Sequence, residues 1–475
     1  MSPAATLSPH VVRDRLAAIV GAKRVLDDPH TIEPYLTEPR GLYRGATVCV
    51  VEPSTTAEVA AILAFADAAG LKIVPQGGNT GLVGGQIPSS DGSEIVLSLR
   101  RLDRIREVDP VSDTITVEAG VTLQRVQEAA EAVDRLFPLS LAAEGSCTIG
   151  GNLATNAGGT QVVAYGNTRA LALGLEVVLA DGRVLNGLGK LRKDNTGYDL
   201  KQLFVGSEGT LGVITAAVMT MVPRPRAFGT AMVAVADPAA AVALLERAKA
   251  TFGAALTGFE LMPRFGLDLV VKHLPGARDP IADRYDWYVL IEVSWSEESG
   301  ADEALETLLG AAMEDELVLD AVIAGSLDQR AALWRMREGM SEVQGIEGGS
   351  IKHDVSVAIA AVPAVIEEGI RVAEELIPGI RPVPFGHLGD GNIHFNFSQP
   401  VGADKAEYLA KWDALNAVVH AVVLAHGGSV SAEHGIGKLK QHLLAEVKDP
   451  VALAVMRQVK AALDPNGTLN PGKVL

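Results

Sequence analysis

The sequence predicts an α+β protein of more than one domain, and two observations carry this prediction. A chain of 475 residues is too long for one ordinary hydrophobic core, so two or three domains are expected. Residues 47–75 read as strand, helix and strand, and strand-like and helix-like segments then alternate over residues 226–385. The predicted domains span 1–223, 224–385 and 386–475.

The composition indicates a globular, acidic protein. Hydrophobic residues make up 48% and charged residues 21% of the chain, which is the usual globular mixture. With a formal net charge of −17 and no basic run, nucleic acid is not expected as a partner. The two cysteines, Cys49 and Cys147, supply neither a disulfide framework nor a zinc cluster. Because neither a signal peptide nor an apolar run of membrane-spanning length is evident, we predict a cytoplasmic protein.

The first elements follow from periodicity and capping residues. Residues 10–22 have the apolar spacing of an amphipathic helix, and TVCVVEP is a β-rich run. Thr55 and Glu58 form the pattern of a capping box, and Gly70 stands where the next helix should end. LKIVP reads as the second strand, so this stretch predicts a βαβ unit.

Two tracts of small residues are candidates for a cofactor site. PQGGNTGLVGG, residues 75–85, has five glycines directly after the predicted strand, and such a loop lets backbone N–H groups reach an anionic ligand. It is neither a P-loop nor a G-x-G-x-x-G fingerprint, and we favour phosphate binding over a purely structural turn. The second tract, AAEGSCTIGGNLATNAGGTQ, covers residues 142–161. Together the tracts could form two walls around one extended cofactor; a flexible linker is the alternative for the second.

Further elements are predicted along the chain. An Asp-Gly turn at 181–182 predicts a hairpin, and Gly206, Gly209 and Gly212 mark a helix–strand junction. One long helix is predicted over YLAKWDALNAVVHAVVLAHGG. The predicted strands of the central region are TAMVAVA, WYVLIEVS and ELVLDAVIA, and its predicted helices are PAAAVALLERAKATF, EALETLLGAAM, LWRMREGMSEVQG and PAVIEEGIRVAEELI.

The segment GHLGDGNIHFNF, residues 386–397, is the candidate for the chemistry. Its Asp-Gly pair predicts a two-residue hairpin turn that places His387 opposite His394. Opposed Cβ atoms lie roughly 4.5–5.5 Å apart, so the two imidazoles could hold one metal ion. Asn396 shares the face of His394. On spacing alone, a metal site and a pair of surface histidines are about equally favoured.

Several segments together resemble the FAD-dependent D-2-hydroxyacid dehydrogenases, flavoproteins of the vanillyl-alcohol-oxidase and p-cresol-methylhydroxylase type. The resemblance runs in order along nearly the whole chain, and LRKDNTGYDLKQLFVGSEGTLG with WRMRE…IKHD resembles the branch that acts on D-2-hydroxyglutarate. It implies a two-subdomain FAD-binding domain, a central α+β cap domain and a C-terminal helical segment that completes the site. The motifs that carry it are PQGGNTGLVGG, EGSCTIGGNLATNAGG, LRKDNTGYDLKQLFVGSEGTLGVIT, GHLGDGNIHFN, SAEHGIGK and LNPGK.

The resemblance also implies which residues bind FAD. Asn79 stands at the loop position where some relatives attach the flavin through histidine, so we expect non-covalent FAD, with Cys147 the remaining candidate for attachment. The residues implied at the cofactor are Pro75, Gly77, Gly78, Asn79, Thr80, Gly81, Leu82, Gly145, Ser146, Ile149, Gly150, Gly151, Asn152, Thr155, Asn156, Gly158, Gly209, Val213, Ile214 and Asn470.

The implied metal site, usually of zinc, maps onto His387, His394 and Glu433, a ligand set that leaves positions open for substrate. His434 corresponds to the general base that accepts the hydroxyl proton while hydride passes to flavin N5. The implied substrate residues are Arg337, Ser341 and Lys352, with Asn396 beside them.

Arg337 and Lys352 are expected to form a buried pair of cations that rejects substrates without a second carboxylate. Because Arg337 and Ser341 lie four residues apart on a helix, a solvated helix face is the alternative for that pair. Ser341 stands where relatives also have threonine, and either hydroxyl can donate a hydrogen bond.

The expected reaction is oxidation of D-2-hydroxyglutarate to the 2-oxo acid, with D-malate as a further candidate substrate. A D-lactate or glycolate dehydrogenase is the alternative within the family. Outside it, a flavin-free zinc hydrolase and a metal-binding protein without catalysis remain open, although no H-E-x-x-H helix is present. The expected electron acceptor is an electron-transfer flavoprotein or a respiratory carrier. The oligomeric state, with a homodimer among the candidates, stays open.

Overall fold

The computed structural model describes Leu7–Leu475, and its residues group into two compact units. The division into three domains remains a prediction. Residues 386–432, which were predicted to belong to the last domain, fall in the same compact unit as residues 224–385. The first unit comprises the described residues up to Gly158, Asn167–Pro223 and Glu433–Leu475, and the second comprises Gly159–Gly166 and Arg224–Ala432.

The helices of the described chain are α1 (Pro9–Val20), α2 (Pro29–Leu36), α3 (Thr56–Ala69), α4 (Leu123–Glu131), α5 (Ile149–Thr155), α6 (Val162–Tyr165), α7 (Thr168–Leu171), α8 (Lys201–Phe204), α9 (Pro238–Phe252), α10 (Arg264–His273), α11 (Ala301–Glu314), α12 (Leu327–Val343), α13 (Val362–Leu376), α14 (Lys405–Leu409), α15 (Trp412–Ala425), α16 (Gln441–Val447) and α17 (Pro450–Leu463). None of them is both long enough and apolar enough to cross a bilayer.

The strands of the same residues are β1 (Val25–Leu26), β2 (Val50–Val51), β3 (Lys72–Gln76), β4 (Glu94–Ser98), β5 (Ile105–Asp109), β6 (Thr114–Glu118), β7 (Arg135–Leu136), β8 (Ala172–Val178), β9 (Val184–Gly187), β10 (Val213–Thr220), β11 (Val222–Pro223), β12 (Ala227–Val235), β13 (Leu256–Pro263), β14 (Trp287–Trp295), β15 (Asp320–Ile323), β16 (Ser350–Ile351), β17 (Asp354–Ser356), β18 (Arg381–Phe385) and β19 (Asn392–Ser398).

The predicted βαβ unit is present, but its two strands are not neighbours. The first sheet has the order β1-β2-β4-β3, in which β2 and β3 both pair in parallel with β4. Every residue of β4 is buried, as expected for the central strand of a parallel sheet. The capping of α3 is confirmed in part: the Thr55 side chain accepts from Glu58 N and Gly70 is left-handed at φ 69°. The Glu58 carboxylate, however, accepts from Ser54 N at 2.6 Å and from Arg24.

The second sheet of the first unit is antiparallel in the order β5-β6-β10-β8-β9. The hairpin predicted at the Asp-Gly turn is confirmed, because Val178 pairs with Val184 and Gly182 has a φ of 85°. The glycine-rich junction is confirmed as well, since it joins α8 to β10. The core under the first sheet is formed by α1 and α3, whose inward side chains include Leu16 and Ile62.

The second unit is built on an antiparallel sheet with the order β13-β14-β12-β15. Successive side chains of β12 enter different cores: Val233 belongs to the core that includes α9 and α11, whereas Met232 belongs to the core that includes α10 and α12. All the predicted helices and strands of this region are present. Five elements of this region were not predicted, namely α10, β13, β16, β17 and β18, and β13 carries the buried Glu260.

The hairpin predicted around Asp390-Gly391 forms with a different register. Strand β18 ends at Phe385, which pairs with His394, so the prediction that His387 stands opposite His394 is wrong. Gly386 leaves the strand at φ 138° and exchanges both backbone hydrogen bonds with Leu261 of β13. The connection is therefore longer than two residues, and His387 lies within it.

The single long helix predicted over residues 408–428 is confirmed in part, because α15 covers most of it but the separate helix α14 precedes α15. Asp404 caps α14 by accepting from Glu407 N at 2.9 Å. The buried Tyr408 donates its hydroxyl to Phe397 O at 2.8 Å, which fixes this short helix to β19. The chain then leaves helical hydrogen bonding at Lys411 before α15 begins.

Candidate active site

A cleft in the first unit opens beyond the carboxyl end of β3. Both glycine-rich tracts and the start of β10 line it, together with His434. Thirteen of the residues expected at FAD line this cleft: Pro75, Gly77, Gly78, Asn79, Thr80, Gly81, Gly150, Gly151, Asn152, Thr155, Gly209, Val213 and Ile214. The other expected residues are not among those that line it, namely Leu82, Gly145, Ser146, Ile149, Asn156, Gly158 and Asn470.

The glycines of the first tract serve contact between the two tracts. A Cβ added to Gly78 would lie 2.0 Å from Ser146 O, and one added to Gly77 would lie 2.4 Å from Thr148 Oγ1. From the sequence, these glycines are predicted to allow the close approach of a ligand. At Gly77 and Gly78 the structure supplies a second reason, since a side chain at Gly77 would meet the Thr148 side chain and one at Gly78 would meet the backbone of Ser146.

We expect Gly78→Ala to empty the cleft of FAD, because the new Cβ forces the loop away from Ser146. Overpacking of this kind costs about 1–3 kcal/mol of unfolding free energy. Flavin absorbance per mole of purified protein and a urea titration measure the two effects. The control is Gly189→Ala, where nothing lies within 4 Å of the added Cβ. Full flavin content in Gly78→Ala would show that the loop position does not matter for FAD.

Two buried amide oxygens in the cleft lack hydrogen bonds within the protein. The amide nitrogen of Gln76 donates to the Tyr35 and Gln86 carbonyls, each at 2.9 Å, and that of Asn79 donates to the Pro34 carbonyl at 2.9 Å. The donors fix both amides and leave Gln76 Oε1 and Asn79 Oδ1 without partners. Buried polar atoms are rarely left this way. The cleft therefore fits a ligand that brings its own N–H or O–H groups as well as phosphates, as FAD does.

Glu208 holds the segment that carries His434. Its carboxylate accepts from the backbone N–H groups of Ile436 and Gly437, both at 2.8 Å. Burial raises the pKa of Glu208, although these two hydrogen bonds favour its charged form. Asn470 donates to Gly85 O and Glu208 O, each at 2.9 Å. Asn470 thus joins two loops at the edge of the cleft rather than lining it.

A second group of expected residues meets within the second unit. Arg337 on α12 donates from Nε to Glu260 Oε2 at 2.7 Å, and His387 Nδ1 lies 2.8 Å from Glu260 Oε1. The His387 and His394 rings have their centroids 5.4 Å apart. The Phe385 ring lies 4.9 Å from Arg337 Cζ and 5.1 Å from the His394 ring. Glu260 therefore joins an expected substrate residue to an expected metal ligand.

The charges at this place are balanced inside the protein. Glu260 is 1% exposed and Arg337 is 5% exposed. Burial alone would raise the pKa of Glu260, but the neighbouring His387 and Arg337 outweigh burial and lower it to about 2. Burial also raises the pKa of Asp390.

The expected pair of cations is not found as predicted. Arg337 is buried but has Glu260 as its counter-ion, whereas Lys352 donates from Nζ to the Ser341 carbonyl at 2.7 Å and to its hydroxyl at 3.2 Å. Ser341 is exposed. The premise of a buried cation pair without an anion is therefore wrong. Arg337 Nη2 still has no hydrogen-bond partner, so a donor remains for a ligand.

Asn396 on β19 also has a buried polar atom that lacks a hydrogen-bond partner. It is 2% exposed, it lies two residues beyond His394 on the same face of the strand, and its Oδ1 has no hydrogen-bond partner.

His387 can present Nε2 to a metal because Nδ1 is engaged by Glu260, which is the usual arrangement of a ligating histidine. In the second unit, the ring nitrogens of His387 and His394 are donors that fit a metal, and the carboxylate of Asp354 is another. Glu433 and His434 belong to the first unit.

Two residues of the site were not predicted from the sequence, namely Glu260 and Glu208. Glu260 lies in a strand that the pattern did not reveal, and its partner Arg337 is 77 residues away along the chain. Glu208 lies in the quoted motif GSEGTLG, where the single acidic residue among glycines was the available signal. A charged residue inside an otherwise apolar or glycine-rich run is costly to bury and needs a partner.

Comparison with known proteins gives two family models that together cover most of the chain. Residues 47–187 match an FAD binding domain, and residues 224–474 match the C-terminal domain of FAD linked oxidases. The D-2-hydroxyglutarate dehydrogenase of Arabidopsis thaliana is 39% identical over 462 residues, which cover 96% of this chain and 80% of the relative. The Bos taurus enzyme of the same name is 40% identical and covers 98% and 84%.

A substrate-bound crystal structure of p-cresol methylhydroxylase superposes with a TM-score of 0.75, covering 98% of this chain and 96% of that one. At 17% identity this likeness establishes the fold alone. The chain therefore has the fold of p-cresol methylhydroxylase, and its two family models define an FAD-linked oxidase. The chain belongs to the FAD-linked oxidases and, within them, to the FAD-dependent D-2-hydroxyacid dehydrogenases. The predicted family and fold class are confirmed.

The predicted cytoplasmic location is wrong by the same comparisons. Both the Arabidopsis thaliana and the Bos taurus relatives carry the word mitochondrial in their names. The prediction rested on the lack of an evident signal peptide and of an apolar run of membrane-spanning length, and neither feature distinguishes the cytoplasm from the interior of a mitochondrion.

Proposed function

We propose that the protein oxidises D-2-hydroxyglutarate to the 2-oxo acid. The observation that carries this proposal is Arg337, a buried guanidinium with an unpartnered Nη2 beside two histidines. A second carboxylate on the substrate is the chemical group that such a guanidinium binds best. The identity of about 40% to D-2-hydroxyglutarate dehydrogenases supports the same substrate.

The remaining roles are proposed on the same basis. FAD, when bound without a covalent link, is the hydride acceptor. The buried Cys147 does not favour covalent attachment, because burial raises the pKa of its thiol and the thiolate is the reactive form. His434 takes the proton of the 2-hydroxyl, and Asn396 contacts the substrate through its amide, whose Oδ1 can accept a hydrogen bond from it. Ser341 and Lys352 contribute further donors for the distal carboxylate.

We further propose a divalent metal, zinc by the chemistry of the donors, held by His387, His394 and Glu433. When bound, such an ion would supply Lewis-acid chemistry that favours loss of the hydroxyl proton. The contact between Glu260 and His387 Nδ1 supports the ligand role, because it leaves Nε2 for the metal. As the acceptor of electrons from the reduced flavin, we propose an electron-transfer flavoprotein or a respiratory carrier, because the sequence has no G-x-G-x-x-G fingerprint for a nicotinamide cofactor.

Substrate profiling with an artificial dye acceptor tests the substrate and the metal together. We expect kcat/KM for D-2-hydroxyglutarate to exceed that for D-lactate by about 10²-fold or more, because D-lactate leaves Arg337 Nη2 unpaired. D-malate should fall between them. A chelator should abolish turnover of all three, and added zinc should restore it.

Each part of the proposal can fail separately in this assay. Equal kcat/KM values for D-lactate and D-2-hydroxyglutarate would favour a D-lactate or glycolate dehydrogenase. Full turnover after chelation, with metal analysis showing an empty protein, would remove the metal from the mechanism. A protein without flavin absorbance would contradict the assignment to this class of enzyme.

A further inference from the structure

The second unit contains two buried glutamates that each bind an arginine of α12. Glu260 accepts from Arg337 at 2.7 Å, and Glu292 on the neighbouring strand β14 accepts from Arg330 at 2.7 and 2.8 Å. Arg330 and Arg337 are seven residues apart, which is two helical turns. Both glutamates are at most 2% exposed. Their burial and their partner helix are alike, so what differs between them is the second set of contacts.

The other hydrogen bonds that Glu292 accepts come from residues outside the proposed active site. It accepts from the Trp334 ring N–H at 2.6 Å and from the Thr230 hydroxyl at 3.0 Å. Glu260 instead accepts from His387 Nδ1 at 2.8 Å. The carboxylate of Glu260 therefore stands between two residues that the proposed reaction uses, whereas the carboxylate of Glu292 contacts none of them.

We propose that Glu260 is the positioning residue of the active site, which orients the substrate-binding Arg337 and the metal-ligating His387 through one carboxylate. This inference rests on the proposed function. Oxygen Oε2 engages Arg337 at Nε and holds the guanidinium in place, while the terminal nitrogen Nη2 is left without a partner. Oxygen Oε1 engages His387 at Nδ1, which requires the proton there and leaves the lone pair on Nε2.

Only a carboxylate can serve both neighbours at once. Arg337 Nε–H and His387 Nδ1–H are both donors, so each needs an acceptor oxygen. Glutamine at this position has one oxygen and one NH₂ group. If the oxygen faces Arg337, the NH₂ group faces His387 and favours the tautomer that carries its proton on Nε2. In that tautomer Nε2 has no lone pair and cannot bind a metal. If the oxygen faces His387, the guanidinium of Arg337 loses its anchor.

The test compares Glu260→Gln with Glu292→Gln in the flavin-loaded protein. We expect Glu260→Gln to raise the Kd for zinc or the KM for D-2-hydroxyglutarate by roughly 10- to 100-fold. The zinc Kd is measured by competition with a chromogenic chelator and does not depend on turnover. The KM for D-lactate should change much less than the KM for D-2-hydroxyglutarate. Glu292→Gln, which also breaks a buried ion pair, should leave the zinc Kd and both KM values within about twofold of the parent protein.

Urea denaturation of both variants separates positioning from folding. Comparable losses of unfolding free energy with changed binding only in Glu260→Gln support the proposal. If the parent protein binds zinc and Glu260→Gln matches Glu292→Gln in zinc Kd and in both KM values, the role of Glu260 is overturned while the proposed function stands. If the parent protein binds no zinc and does not discriminate D-2-hydroxyglutarate from D-lactate, the proposed function fails and the role of Glu260 fails with it.

Discussion

Replacing His434 with glutamine is expected to slow the reduction of bound flavin by D-2-hydroxyglutarate about 10²- to 10⁴-fold. Positioned general bases contribute accelerations of this size, and the histidine lines the cleft beside the glycine-rich tracts. Glutamine keeps a polar side chain of similar length but cannot take the hydroxyl proton. Stopped-flow absorbance of the flavin under anaerobic conditions measures the step directly, without the electron acceptor.

The matched control for that variant is His442→Gln. His442 lies on α16 in the same unit, and its side chain is exposed, so the flavin should be reduced at the parental rate. Flavin content must be measured in both variants, because His434 lines the cleft and its loss could weaken cofactor binding. Partial recovery of His434→Gln with added imidazole would support proton transfer as its role. A flavin-loaded His434→Gln protein with a parental rate of reduction would rule out that role.

The parts of the fold that follow local rules could be predicted from the sequence. Thr55 and Gly70 mark the ends of α3 because a side-chain cap and a left-handed glycine are properties of a few neighbouring residues. The Asp-Gly turn at Gly182 follows for the same reason. The position of β4 between β2 and β3 could not be read locally, since it depends on which strand can be buried on both faces.

The hairpin at His387 shows where local prediction stops. Asp390-Gly391 signals a turn correctly, and Gly391 has the expected positive φ of 85°. The register differs because Gly386 pairs with Leu261, a residue 125 positions earlier in the chain. No pattern within the hairpin contains that information. The proximity of the two histidine rings, 5.4 Å between centroids, was expected, but the reason given for it was wrong.

The glycine tracts were located correctly, and most of the expected cofactor residues line one cleft. What the sequence did not reveal is that Gly77 and Gly78 also allow two loops to touch. A glycine in the sequence indicates only that a side chain is absent, and it does not indicate whether a ligand or another part of the backbone occupies the space that a side chain would fill. A buried charge such as Glu260 implies that charged or polar partners are near, but the sequence does not show which residues these are.

The proposed role of Arg337 gives the sharpest test of substrate choice. Arg337→Ala is a poor test, since removing one member of a buried ion pair costs about 3–5 kcal/mol and would leave Glu260 without its guanidinium. Arg337→Lys keeps a positive charge for Glu260. An ammonium group, however, lacks the planar fork that lets one nitrogen bind Glu260 while others bind a substrate carboxylate.

We therefore expect Arg337→Lys to lower kcat/KM for D-2-hydroxyglutarate by about 2–5 kcal/mol of transition-state binding, roughly 30- to 4,000-fold. For D-lactate, which has no distal carboxylate, the decrease should stay below about tenfold. The control is Arg335→Lys on the same helix, where the arginine is exposed and donates to the Pro275 carbonyl at 3.0 Å, and it should leave both substrates unaffected.

The ratio of the two kcat/KM values separates specificity from general damage. A distorted helix or a displaced His387 would lower both values together and leave their ratio unchanged. Loss of a distal-carboxylate contact lowers one value and moves the ratio toward unity. An equal decrease for both substrates in Arg337→Lys would assign Arg337 to the support of Glu260 alone, and the second carboxylate would then have to be bound by the Ser341 and Lys352 pair.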